Sequence, residues 1–143
     1  AGCIGGAICG SESFIQAVAN LGRAWIYSTS IPPTAAAAAR AAIQVMRDEP
    51  HRQQRLRKLA RQVRSELSIP GPPDSPIIPV ILGDEQTAIS AAERLKELGM
   101  WIVAVRPPTV KPGTSRLRIT LSSEHTDAEI DRLIAECRMM NAE

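Results

Sequence analysis

Apolar residues recur with two different periods in the second half of the chain, and these periods predict strands and helices. Residues 77–82, 101–105 and 116–121 are short segments rich in Ile, Val and Leu, which is typical of strands. Apolar residues recur at helical spacing after Asp84 and after Thr126, whose side chains are suited to capping a helix. The order strand, helix, strand, strand, helix predicts a small α+β domain, a three-stranded sheet backed by helices.

The first half of the chain predicts mainly helices. Residues 4–9 are apolar with two glycines and predict a short buried strand. Residues 11–20 predict a helix that Gly22 ends, and residues 24–28 predict a short extended piece. An alanine-rich helix is expected over residues 34–48.

Residues 51–67 predict an amphipathic helix, and the Pro- and Gly-rich residues 70–76 predict a connector. One face of this helix is apolar. The other face carries much of the positive charge: Arg52, Arg55, Arg57, Lys58, Arg61 and Arg64. Such a face can contact nucleic-acid phosphates. Because no aromatic side chain is interleaved, we favour an ordinary solvated helix face and keep nucleic-acid binding as an alternative.

Composition places the chain among ordinary folded domains. The 143 residues are 44% apolar, and a net charge of +2 is too small to indicate a polyanionic partner. An aromatic content of 3% argues against a base-stacking surface, so no nucleic acid is expected. No segment reaches the roughly 20 apolar residues of a membrane span, so no membrane contact is expected. Three cysteines without metal-ligand spacing indicate a cytoplasmic protein in which the cysteines are small buried side chains, with no metal.

Two arginines near the end of the chain are candidates for binding an anion. Alternation along residues 116–121 puts the apolar side chains on one face and Arg118 on the other, in mid-strand. We expect neighbouring residues to bury Arg118 in part, in a geometry that suits a bidentate contact with a carboxylate or phosphate. Arg106 ends the preceding strand and is expected to reach the same space. The alternative is an arginine paired with a structural acid.

A run of hydroxyl residues precedes the alanine-rich helix. Ser28, Thr29 and Ser30 lie in the segment IYSTSIPP, directly before the expected helix start. Hydroxyl groups and free backbone amides at a helix start can bind phosphate. The same residue types are also common in ordinary turns, so this signal is weak alone.

These two segments, IYSTSIPP before an alanine-rich helix and RPPTVKPGTSRLRITLSSEHT, resemble the α-oxoamine synthases. These are pyridoxal-phosphate-dependent acyl-CoA:amino-acid acyltransferases of the aspartate-aminotransferase fold. The resemblance implies pyridoxal phosphate as cofactor, amino-acid and acyl-thioester substrates, and a homodimer. It also implies that residues 1–33 are a remnant of the large cofactor-binding domain and that residues 34–143 are the carboxy-terminal small domain.

The family's cofactor lysine lies shortly before the Gly-Gly strand with which this chain opens. We therefore expect a carboxy-terminal fragment of a longer protein, without catalytic residues and inactive alone. By resemblance, Arg118 matches the arginine that holds the amino-acid carboxylate, and Arg106 matches a second arginine near it. Thr29, together with Ser28, matches the hydroxyl position that reaches the cofactor phosphate of the neighbouring subunit.

The Arg-Pro-Pro-Thr-Val loop is favoured in the branch of the family that serves biotin biosynthesis. It implies condensation of L-alanine with a pimeloyl thioester and loss of carbon dioxide. Other branches of the family use glycine or serine, and they stay open as alternatives. A free-standing regulatory domain that binds a carboxylate through Arg106 and Arg118 is a further alternative.

Overall fold

The computed structural model describes residue 2 and residues 4–140. The chain divides into two compact units, residues 1–49 and residues 50–143. The domain boundary expected after residue 33 concerns the fold of a longer protein, and it stays a prediction.

The first unit consists of helices joined by short loops: α1 (Glu12–Leu21), α2 (Arg23–Ile26) and α3 (Pro33–Asp48). The Ser11 hydroxyl caps α1 by accepting a hydrogen bond from the Phe14 amide at 3.4 Å. Proline occupies the first position of α3, where its missing N–H costs no hydrogen bond. The predicted helices over residues 11–20 and 34–48 are therefore confirmed.

Two expectations for the first unit are wrong. Residues 4–9 form no strand and are exposed, because the described residues of this unit contain no strand that could pair with them. Residues 24–28 are not extended, since the Trp25 and Ile26 amides both donate to the Gly22 carbonyl at 2.9 and 3.0 Å and close the turn of α2.

The second unit contains the predicted sheet, formed by β1 (Ile77–Gly83), β2 (Val103–Val105) and β3 (Ser115–Thr120). The strand order is β1-β3-β2, and both pairings are antiparallel. The strand expected from residue 101 begins only at residue 103, and Trp101 is 82% exposed. The central strand β3 therefore carries the register of the whole sheet.

Helices α4 (Pro50–Glu66), α5 (Glu85–Glu97) and α6 (Asp127–Met140) complete the second unit. The Asp84 carboxylate caps α5 by accepting from the Thr87 amide at 2.9 Å, as predicted. This hydrogen bond lowers the pKa of Asp84 below its usual value.

Helix α6 begins with the predicted capping box. The Thr126 amide donates to the Glu129 carboxylate at 2.8 Å, and the Glu129 amide donates to the Thr126 hydroxyl at 3.2 Å. The hydrogen bond from the Thr126 amide lowers the pKa of Glu129. These reciprocal contacts satisfy backbone amides at the start of α6 that have no partner within the helix.

The core lies between one face of the sheet and the three helices of this unit. Its buried members are Leu59, Ala60, Val63, Ile78, Val80, Leu95, Leu117, Ile119, Leu121, Ile130, Leu133, Ile134 and Cys137. The predicted inner faces of β3 and α6 are all among them. The opposite face of the sheet is not covered by these helices, and it carries the alternate side chains of β3.

Candidate functional site

Arg118 lies in the middle of β3, on the face of the sheet opposite the core. It is paired in register with Pro79 of β1 and with Val103 of β2. Arg118 is exposed, so the expected partial burial is wrong, because the helices cover only the other face. Among the described residues its guanidinium has neither a hydrogen bond nor an ion pair, so the alternative of a structural acid partner finds no support.

Arg106 follows β2 directly and begins the loop to β3. Its side chain is exposed, and its carbonyl accepts a hydrogen bond from the Thr109 amide at 3.0 Å. Arg118 lines a cavity of about 460 Å³ in which Arg106 takes no part. Arg106 and Arg118 were expected to reach the same space, but they do not meet in this cavity.

Two other arginines share that cavity with Arg118, namely Arg64 and Arg116. Arg116 lies two residues before Arg118 on the same face of β3, and its Nε donates to the Thr114 carbonyl at 2.9 Å. Alternation along the strand already placed Arg116 beside Arg118, so the sequence contained the signal for it. Arg116 is nevertheless not among the site residues predicted from the sequence.

The prediction that Arg64 lies on the solvated face of α4 is wrong. It is only 7% exposed, at the edge of the core. Its Nη1 donates to the Pro70 carbonyl at 3.0 Å and its Nη2 to the Ile77 carbonyl at 2.9 Å. Gly71 has φ +125° and would place a Cβ 3.1 Å from Nη1, so the connector folds closely around this guanidinium.

The other arginines on the basic face of α4 interact mostly with acidic side chains at the surface of the second unit. Three of these arginines form ion pairs: Arg52 with Glu124 at 2.6 Å, Arg55 with Asp127 at 3.1 Å, and Arg61 with Asp74 at 2.7 Å. The hydrogen bond from Arg61 lowers the pKa of Asp74. These pairs offset part of the positive charge, which supports the reading of a solvated helix face over a nucleic-acid surface.

Ser28 and Thr29 lie in the exposed loop between α2 and α3. The Ser28 hydroxyl donates to the Thr29 carbonyl at 3.3 Å, whereas the Thr29 hydroxyl has no partner among the described residues. The segment 27–34 contains no Lys or Arg. These residues fit a phosphate as hydrogen-bond donors, but the positive charge for a complete phosphate site has to come from elsewhere.

The cysteines lie in different environments. Cys137 is fully buried in α6, and burial together with the charge of Glu136 raises the pKa of its thiol to about 11. Cys9 is exposed, which corrects the prediction that it is buried, and Cys3 lies outside the described residues. Within residues 4–140 no cluster of three His, Cys, Asp or Glu side chains could hold a metal ion. None of the described helices is long and apolar enough to cross a bilayer.

The fold and the sequence place this chain in a known family. A model of the aminotransferase class I and II family matches residues 1–136, so the chain belongs to that family. It is similar to the 8-amino-7-oxononanoate synthase of Saccharophagus degradans, with 39% identity over 93% of this chain and 34% of the relative. The same enzyme of Methylococcus capsulatus is 39% identical over 93% of this chain and 35% of its own length.

Solved structures agree on the fold. A structure of serine palmitoyltransferase (SPT) with pyridoxal phosphate (PLP) matches with a TM-score of 0.77 and 26% identity. The match covers 92% of this chain and 34% of the SPT chain. The 8-amino-7-oxononanoate synthase of Francisella tularensis matches with a TM-score of 0.67 and 22% identity, over 94% of this chain and 40% of its own. The predicted kinship with α-oxoamine synthases and the predicted fold are confirmed. The chain spans about a third of the length of the curated relatives it matches.

Proposed function

We propose that this chain is the carboxy-terminal part of a pyridoxal-phosphate-dependent acyltransferase that condenses L-alanine with a pimeloyl thioester. Within that enzyme the second unit supplies a wall of the substrate site, and Arg118 holds the carboxylate of the amino acid. The remainder of the active site, including the lysine that carries the cofactor, belongs to sequence outside these 143 residues.

The observation that carries the proposal is the guanidinium of Arg118 in mid-strand, which has no partner among the described residues. Its neighbours in the sheet are Pro79 and Val103, neither of which can neutralise it. A planar fork of N–H donors in this position is suited to two parallel hydrogen bonds with a carboxylate. The similarity to 8-amino-7-oxononanoate synthases supports alanine as the amino acid whose carboxylate it binds.

The other proposed roles follow from exposure and chemistry. Arg106, exposed at the end of β2, supplies a second positive charge near the carboxylate during part of the cycle. The Thr29 hydroxyl, with that of Ser28, donates to the cofactor phosphate of the neighbouring subunit in a homodimer. Pyridoxal phosphate, when bound, serves as the electron sink for a carbanion, while the protein orients the substrate and places charge.

A homodimer agrees with the apolar surface of the first unit. Ile4 is 75% exposed, Ile8 is 60% exposed and Trp25 is 69% exposed. Exposed apolar patches of this kind usually mark an interface. We propose that these residues pack against sequence of the longer enzyme or against its second subunit.

We propose that none of the three lysines of this chain carries the cofactor and that the chain alone is inactive. Lys58 and Lys111 are exposed, and the Lys96 ammonium lies 5.1 Å from the centre of the Trp101 ring. None of them lies in the desolvated surroundings that a covalent lysine catalyst needs. Borohydride treatment with pyridoxal phosphate followed by peptide mapping is expected to label no single lysine stoichiometrically.

The decisive experiment uses the longer reading frame that contains this sequence, expressed and loaded with pyridoxal phosphate. Alanine is titrated by the absorbance change of the bound cofactor, and release of the free thiol is measured with a pimeloyl thioester. Arg118→Ala is expected to weaken alanine binding about 10- to 100-fold, because a charged bidentate contact is lost. Binding of alanine that is unchanged in Arg118→Ala but lost in Arg106→Ala would reassign the carboxylate to the other arginine.

A second candidate is the condensation of serine or glycine with a different acyl thioester. The similarity of the fold to SPT favours this alternative. The same titration decides it, since the three amino acids are compared on one protein. Preference for serine or glycine over alanine would move the chain to another branch of the α-oxoamine synthases.

A further inference from the structure

Arg64 is a buried positive charge without a carboxylate partner in the part of the chain that the structure describes. It is 7% exposed, and the described residues offer its guanidinium only the backbone carbonyls of Pro70 and Ile77. Its Nε is buried with no hydrogen-bond acceptor. The one acid in the connector, Asp74, forms an ion pair with Arg61 at 2.7 Å. A charge buried in this way costs free energy unless a counter-charge is nearby.

Two further arginines face the same cavity with most of their donors free. Arg116 uses its Nε for the Thr114 carbonyl, and its two terminal nitrogens have no partner among the described residues. Arg118 has no hydrogen bond within the same part of the chain. The residues that line the cavity include no Asp or Glu. Three arginines therefore line one cavity whose other lining residues include no carboxylate.

Apart from the three arginines, the cavity is lined mainly by apolar side chains. Ile77 and Pro79 of β1 line one part, and Val105 and Val110 line another. An inorganic anion would gain nothing from these walls, whereas a hydrocarbon chain would leave water against them. The cavity volume of about 460 Å³ lies in the usual range for small-molecule sites.

We propose that Arg64, Arg116 and Arg118 form a binding site for an aliphatic carboxylate whose hydrocarbon chain lies on the apolar walls of this cavity. Arg116 and Arg118 contact the carboxylate, and Arg64 positions the connector and contributes buried positive charge. The inference rests on the proposed function in one respect only, since Arg118 is shared with the amino-acid site. Arg64 and Arg116 are the new assignments, and the apolar side chains of the cavity make it selective for chain length.

The test uses the 143-residue chain itself, at constant ionic strength, with three probes: hexanoate, acetate and hexanamide. Binding is followed by NMR of the backbone amides and of the arginine Nε–Hε groups. Hexanoate is expected to bind at least about tenfold more tightly than acetate, because each methylene removed from water strengthens binding up to about fourfold. Hexanamide has the same hydrocarbon chain without the charge. It is expected to cause no saturable change in the NMR chemical shifts.

Arg116→Gln and Arg118→Gln are each expected to weaken hexanoate binding at least about tenfold. Arg57→Gln is the matched control, because Arg57 is exposed on α4 and lies outside this cavity. Arg64→Lys keeps the charge but loses the planar fork, so it is expected to fold and to shift the Gly71 amide signal while weakening binding.

The proposal is overturned if hexanamide binds as tightly as hexanoate, if acetate binds as tightly as hexanoate, or if hexanoate binding is unchanged in Arg116→Gln. Loss of binding in Arg118→Gln alone also overturns it, and leaves the proposed amino-acid role of Arg118 standing. That role is tested separately by the alanine titration of the longer enzyme, so failure of one proposal is distinguishable from failure of the other.

Discussion

Replacing Gly71 by alanine tests whether the connector is built around the buried Arg64. Gly71 has φ +125°, a conformation that residues with a Cβ rarely adopt. An added Cβ would lie 3.1 Å from Arg64 Nη1 and 3.8 Å from its Cζ. The guanidinium cannot move away freely, since it donates to the carbonyls of Pro70 and Ile77 at 3.0 and 2.9 Å.

The expected destabilisation combines two contributions. The strained backbone costs about 1–3 kcal/mol. Displacement of Arg64 takes away part of two charge-assisted hydrogen bonds, each worth about 1.5–3 kcal/mol when lost entirely, so about 1 kcal/mol is added. Gly71→Ala is therefore expected to lower the free energy of unfolding of the second unit by about 2–4 kcal/mol. At about 1.4 kcal/mol per tenfold, the unfolded fraction rises about 30- to 700-fold.

Amide hydrogen exchange of β3 measures this change in the second unit, independently of the first. Gly99→Ala is the control, because Gly99 has φ +82° and no heavy atom lies within 4 Å of its added Cβ. A double-mutant cycle with Arg64→Met isolates the contact between the two positions. If Gly71→Ala costs the same in the Arg64→Met background as in the parent chain, the glycine does not serve Arg64 and the reasoning is refuted.

Three further predictions concern the core, the helix caps and the cysteines. Leu117→Ala is expected to destabilise the second unit by about 2–5 kcal/mol in urea denaturation, since Leu117 is fully buried in the central strand. The pKa of Glu129 is lowered by its contact with Thr126, so its contribution to stability is full above its unfolded pKa and is lost as the pH falls through the folded pKa. Thermal unfolding of Glu129→Gln is accordingly expected to depend less on pH in the acidic range, and an unchanged slope would contradict this. A thiol reagent at neutral pH is expected to modify exposed Cys9 and to leave Cys137, whose pKa is raised to about 11, unmodified until the chain unfolds.

The parts of the fold that could be predicted from the sequence are those specified by local chemistry. Asp84 and Thr126 bear side chains that bond the first amides of a helix, and both helices begin where these caps predict. The alternation along β3 likewise predicts which side chains are buried, because successive residues of a strand face opposite sides. In these segments the short-range pattern and the tertiary structure require the same arrangement.

The failed predictions concern residues whose state depends on a distant partner. Residues 4–9 have the composition of a strand, but a strand forms only where another strand satisfies its backbone groups. Trp101 is a residue type that is common in strands, yet β2 begins only at residue 103. Arg64 was expected on a polar face, but carbonyls of the connector accept its N–H groups and allow its burial. Hydrophobic periodicity alone contains no information about these partners.

The candidate site combines the two kinds of determinant. Leu117 and Ile119 are buried between β3 and the helices, and so they fix the strand that carries the arginines. Since a strand rises about 3.3 Å per residue, Arg116 and Arg118 project from the same face about 7 Å apart, a spacing that one bound carboxylate can bridge with two long side chains. Arg64 reaches the same cavity only because α4 packs beside β1. A change in the buried face of β3 is therefore expected to disturb anion binding through the spacing of the arginines, even where the chain still folds.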